Sequence, residues 1–295
     1  MSDDRRVPLS VDRHRGRFWR RFTSYDFARH RRSVPLVLAE VEPVAAAMPV
    51  VFAEGDDGPE PVALLRIVPG GGSPFISPKG LWLATYVPSI VRVHPFSARA
   101  AGDGRMNLMV DEDSGLVTDN PGDEAFFDEA GGLAKPTAEV VEFFRQREAS
   151  ALKARAAVAR LQALDLLVPF VPTGVTAPPG AFAGLQMVDR ARYDALPDAR
   201  WLELRGLGAI ALVQAHLVSM AQVPWLARAE QLKDEEAAGL QRPLAAAAPD
   251  VPSQRGVDDF LAALAAAQEG EGVGNTPADD PEAPLRSDDS KRKPH

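Results

Sequence analysis

A chain of 295 residues, 45% hydrophobic and 25% charged, with no cysteine and a formal charge of −8, describes one or two globular domains that fold without disulfides. The missing thiols exclude thiolate zinc sites and cysteine nucleophiles, and the acidic body argues against nucleic acid as a partner, because phosphate contacts need a basic surface. The charge is uneven: residues 1–32 hold ten Arg against four Asp, whereas residues 233–295 hold seven basic and thirteen acidic side chains.

Residues 1–32 read as a basic arm broken by Pro8 and Gly16, with Phe18, Trp19, Phe22, Tyr25 and Phe27 scattered through it. The spacing predicts that Phe22 to Phe27 dock on the domain while residues 1–15 stay loose. From Pro35 the chain starts extended and turns into a short helix that Pro49 ends. The β-branched runs 49–53 and 62–68, separated by Gly55, Asp56, Asp57, Gly58 and Pro59, predict a strand pair with a turn between. Residues 69–78 are a Gly/Pro-rich loop, 105–110 a strand, and 111–115 a turn.

The clearest helix is predicted over 137–168, with Thr137 as cap, Glu139 in the first turn, and Val141, Phe144, Leu152, Val158 and Leu161 on one face. After a proline-rich connection, 182–188 reads as a strand and 189–196 as a turn or short helix. Residues 207–220 are apolar nearly all round, as a core helix is. That stretch is interrupted by Gln214, His216, Gln222 and Pro224, so no membrane span is expected, since spanning needs about 20 mostly apolar residues. The expected fold class is α+β: one domain over 22–232 in which a short-stranded sheet packs with two longer helices. An arginine-rich arm (1–21) precedes it, and an acidic Ala/Pro-rich tail (233–295) of low hydrophobicity, expected to be disordered, follows it. No secretory signal is visible, which makes the cytoplasm the default location and the cell surface the alternative.

Gly80, Leu81 and Trp82, then Tyr86, Val87 and Pro88, then Arg92 through Phe96 resemble the "G-x-W…Y-x-P…R-x-x-P-F" core of the bacterial SapC-like family. Pro35 and Leu36 with Glu40, the run Pro49 to Phe52, Met109 to Asp111, Phe127 and Asp128 before Gly131 and Gly132, and Gly206 through Ser219 agree with it in order, over about residues 22–232. The family name is tied to a paracrystalline surface layer and to a peptide-transporter label. The second conflicts with a chain that has no span, and the resemblance implies no reaction.

Trp82, Tyr86, Arg92 and His94 are the candidate ligand site. An Arg fork beside aromatic rings can hold an anionic or aromatic ligand, while in the alternative reading the prolines bracket a turn and Arg92 pairs with a core carboxylate. A metal set of His94, His216 and Asp111 or Asp113 would resemble the two-His, one-carboxylate sites of non-haem iron enzymes, set against ordinary core histidines. His216 and Ser219 share a helix face and read either as a nucleophile pair or as a polar seam on a buried helix. Asp111, Glu112 and Asp113 lack the later ligands of a calcium loop, Gly70 to Ser73 lacks the lysine of a phosphate loop, and Gly206-x-Gly208-x-x-Ala211 lacks the βαβ unit of a dinucleotide fold. The basic arm either contacts an anionic partner or packs on the acidic body. The expected function is a non-enzymatic binding or assembly module for an unspecified small molecule or protein. A metal-dependent enzyme and a surface-layer protein are the alternatives, and no cofactor is specified.

Overall fold

Eleven short strands and eight α-helices are formed by residues 6–55, 58–100, 106–237 and 239, which are those that the computed structural model describes. In chain order they are β1 (Arg6–Pro8), α1 (Val11–His14), β2 (Phe18–Trp19), β3 (Ser33–Pro35), α2 (Val41–Ala45), β4 (Val50–Gly55), β5 (Gly58–Leu64), α3 (Ser89–Arg92) and β6 (Phe96–Ala100). There follow β7 (Met106–Asp111), β8 (Val117–Thr118), β9 (Glu124–Ala125), α4 (Lys135–Ala163), β10 (Leu167–Pro169) and β11 (Leu185–Val188). The last four are α5 (Arg190–Asp194), α6 (Asp198–Gly206), α7 (Ala209–Ser219) and α8 (Gln222–Ala237). The chain divides into residues 1–240 and 241–295. The second unit, which holds most of the predicted acidic tail, lies outside the described residues.

The fold is α+β with antiparallel sheets throughout. A five-stranded sheet runs β10-β11-β4-β5-β3, and two three-stranded ones run β1-β7-β6 and β8-β2-β9. The predicted strand pair is β4 and β5, with Val50 opposite Ala63 and Gly55 opposite Gly58. Their Val-rich text suits a surface buried on both faces: Val50, Val51, Phe52, Ala63 and Leu64 are all fully buried. Helices α2 and α7 pack with β4 and each other, and α4 lies against β5.

Helix α4 ties two apolar cores together. Thr137, Phe144, Ala151, Ala154, Val158 and Leu161 are buried at alternating steps of three, four and seven residues, which puts one stripe along the helix. Its second half, with Ala157, Val158 and Leu161, belongs to the larger core. Phe144, in the first half, belongs to a smaller core with Trp19, Phe96, Leu108, Val110 and Phe126. Ile90 packs against both. The 86–96 block is thus the seam between the cores.

Three elements differ from expectation. The helix predicted to 168 ends at Ala163, because Asp165 adopts a left-handed conformation (φ 53°), Leu166 N–H returns to Leu161 O, and the chain enters β10. The arginine-rich segment expected to stand loose is woven in from residue 6. β1 pairs with β7, β2 sits between β8 and β9, and His14 is fully buried. Its charges meet acid on the domain: Arg13 makes a fork on Glu112, and Arg17 lies 3.6 Å from Glu112 and 3.3 Å from Asp119. These cations hold the Glu112 carboxyl below its ordinary pKa. Finally, the predicted tail begins inside α8, whose Glu230 receives the Ile67 and Val68 N–H groups and whose Lys233 donates to Ser73 O and Ile76 O.

Among the described residues no single helix is long and apolar enough to cross a membrane; α7 and α8 pass that test only as a pair bent by 44°.

Candidate functional site

Construction of the site starts at Glu40. It is 3% exposed, and its two oxygens accept four donors: Val37 N–H (3.1 Å), Ser89 Oγ (2.8 Å), Ser89 N–H (2.7 Å) and Tyr86 Oη (3.3 Å). A buried carboxylate costs several kcal/mol unless its acceptor sites are filled, and here they are. Arg147 of α4 supplies the counter-charge nearby. Its Nε donates to Ser89 Oγ (3.2 Å) and its Nη2 to Pro35 O (2.9 Å), and burial lowers the pKa of the guanidinium. Residues from three separated parts of the chain therefore converge around one carboxylate. Three of them, Pro35, Glu40 and Tyr86, carry the resemblance to the SapC-like core.

That hub fixes α3 and the two residues predicted beside it. Trp82 Nε1 donates to Tyr86 O (2.8 Å), and Tyr86 passes its hydroxyl proton toward Glu40 while accepting from Arg92 Nη2 (3.4 Å). The Arg92 guanidinium lies 5.6 Å from the Tyr86 ring centroid. Burial, followed by the Glu40 charge, raises the Tyr86 pKa, so the phenol stays a donor. Gly80 anchors the other end of the block. It has φ +77° and accepts the Tyr25 N–H, and a Cβ there would sit 2.0 Å from Ser24 Oγ.

His94 lies against aromatic side chains, stacked on Phe27 with ring centroids 3.9 Å apart, while Phe22 meets Tyr25 and Phe27 edge-on at 5.1 and 5.0 Å. Burial, then the positive charges of Arg6 and Arg31, push the His94 pKa down to about 4, so it presents a neutral ring near pH 7.

Arg92 and His94 open onto a cavity of about 400 Å³ between the N-terminal segment, the 92–96 strand entry and the first turns of α4. Trp19, Phe22, Phe96 and Phe143 form its apolar surfaces, and Arg21 and Glu139 join Arg92 as its ionised groups. Arg21 and Arg92 are exposed, and among the described residues neither has a carboxylate within ion-pair distance. Of the four predicted ligand residues, then, two line the cavity. Trp82 and Tyr86 stand behind them with their polar atoms engaged. Trp19, Arg21 and Phe22 lie in the stretch read from sequence as an arm, where the aromatic content was the available signal; Phe143 carried none beyond its place on α4.

The metal set does not assemble. His216 is fully buried in α7, its Nε2 accepting Val188 N–H (3.1 Å) and its Nδ1 donating to Val50 O (2.7 Å), so both ring nitrogens are spent on the end of β11 and the start of β4. Ser219 beside it accepts Val50 N–H (2.9 Å) and donates to His216 O (2.7 Å), the polar seam and not a nucleophile pair. Asp111 closes β7 with its N–H on Pro95 O, and Asp113 is exposed in the following turn. Among the described residues no three His, Asp or Glu side chains are grouped to hold a metal ion.

A second concavity of about 470 Å³ runs between residues 74–85 and α8, past exposed Leu83, Trp225 and Leu232. Its cation, Lys233, is committed to two backbone carbonyls, and the surface around it is largely apolar, with Ser77, Thr85, Gln222 and Glu236 as its other polar side chains.

A family model described as SapC matches residues 9–226. No curated protein and no solved structure matches the chain.

Proposed function

We propose that this chain, which belongs to the SapC family, is a binding module whose ligand occupies the cavity lined by Arg92 and His94. One observation carries the reading: a guanidinium without a carboxylate partner among the described residues stands at the rim of an aromatic-walled cavity of ligand-binding size. Arg92 is held there by Tyr86, and Tyr86 by Glu40, so the group is pre-positioned on rigid elements. The aromatic rings supply apolar area at small conformational cost, and the arginine supplies orientation. Nothing in the cavity makes an activated nucleophile, since its one histidine is stacked on Phe27 and its one carboxylate, Glu139, is exposed.

Native mass spectrometry of protein purified from its own host tests this. The wild type should carry a stoichiometric small molecule, and Arg92→Ala should arrive bare with a Tm within about 2 °C of wild type, because Arg92 is exposed and makes no buried bond. A wild-type chain that arrives bare at a defined oligomeric state would favour an assembly role instead. Unfolding of Arg92→Ala would mean that the arginine is structural.

A further inference from the structure

Resting on that reading, we infer that the cavity is built for a small aryl carboxylate: one aromatic ring carrying one carboxylate on a short arm. The charges come first. Among the described residues the charged side chains that line the cavity are Arg21, Arg92 and Glu139, a net of one positive charge, and Arg6 and Arg31 add positive potential at the neutral His94 ring. A single carboxylate suits this positive wall. The first turns of α4 point the same way. Pro136 and Glu139 of this 29-residue helix line the cavity, and no side chain caps its N-terminus at Ala134, so the positive end of its backbone dipole adds to the two guanidinium groups.

The walls argue for a ring. Trp19 meets Phe96 edge-on at 4.9 Å and 88°, Phe22 meets Tyr25 at 5.1 Å and 73°, and all four rings line the cavity. Aromatic guests gain from such offset and edge contacts beyond the area they bury. Size is compatible. A volume of about 400 Å³ lies in the range of small-molecule pockets, and a phenyl or indole ring with a two- or three-carbon acid arm fits within it.

The test is calorimetric titration of the full chain with 3-phenylpropionate, with 3-phenylpropanol as the isostere lacking charge, and with acetate as the charge lacking a ring. The expected order is the acid first, the alcohol at least about tenfold weaker, and acetate without measurable heat, a charge-assisted fork being roughly twice as strong as a neutral hydrogen bond. Arg92→Gln should bring the acid down to the affinity of the alcohol and leave the alcohol unchanged. Equal affinity for acid and alcohol, an Arg92→Gln variant that binds the acid as well as wild type, or no heat from either aryl compound at about 10 mM, a concentration at which contacts worth roughly 3 kcal/mol would register, would each overturn the assignment. A host-derived ligand that is uncharged yet lost in Arg92→Ala would overturn the aryl carboxylate while leaving the binding module standing.

Discussion

Replacing Glu40 by alanine should destabilise the chain by about 3–5 kcal/mol, the range seen when one member of a buried charge pair is removed. Four donors then lose their acceptor at once, and the half-buried Arg147 loses the Glu40 charge and keeps Ser89 Oγ, Pro35 O and the more distant Glu60 and Glu148. Glu40→Gln keeps the size and one acceptor oxygen, so it should cost less. Adding Arg147→Met to Glu40→Ala should recover part of the loss, because the stranded cation goes with it. Urea unfolding followed by far-ultraviolet circular dichroism measures all three. A Glu40→Ala cost below about 1 kcal/mol, the value of one ordinary hydrogen bond, would show that Glu40 does not organise the block that carries Tyr86 and Arg92.

The second large effect is a pH dependence set by His216. Burial lowers its pKa from 6.5 to about 4, and the neutral ring is the form that bonds Val188 N–H and Val50 O together. Between these two values the unfolded chain binds a proton that the folded chain refuses. Stability from this group is therefore fully present above pH 6.5 and is lost as the pH falls toward 4. The loss between pH 7.5 and 4.5 should be roughly 2–3 kcal/mol. His94 and His14 are lowered by burial as well, so the comparison that isolates His216 is with His216→Gln, whose amide keeps a donor and an acceptor but does not titrate. Wild type should lose that much more stability than His216→Gln over the same range. Parallel pH curves for the two would mean that His216 is protonated or solvated in the folded chain.

Much of the main core was legible in the sequence, because its signals are local. The β-branched runs flanking Gly55 and Gly58 became β4 and β5, and the apolar circumference of residues 207–220 became α7. The N-terminal segment was not legible. β1 and β2 have three and two residues, too few for any periodicity, and they exist because β7, β8 and β9, about a hundred positions away, offer them pairing edges. Arginine density pointed to a solvated arm, but Arg13 and Arg17 are answered by Glu112 and Asp119 on the domain. The site was half legible. Trp82, Tyr86, Arg92 and His94 lie close in sequence and stay close in the fold, yet which of them face open space depends on Glu40 and Arg147, separated from Ser89 by 49 and 58 residues. His216 drew attention as a ligand because imidazoles in regular structure are few, and no sequence pattern reveals that two strand ends consume both its nitrogens.

The central claim is that ligand enters the cavity beside Arg92 and not the apolar groove along α8. The four tryptophans report on it separately. Trp19 forms a wall of the cavity with its indole N–H on Thr137 Oγ1, Trp82 stands behind it, Trp201 of α6 donates to Leu196 O, and Trp225 lines the other groove. Nitrogen-15 indole spectra of the full chain, titrated separately with 3-phenylpropionate and with 3-phenylpropanol, should show the Trp19 signal moving first and furthest, with Trp201 and Trp225 fixed. Movement of Trp225 alone, or a Trp19 signal that neither compound shifts, would contradict the account.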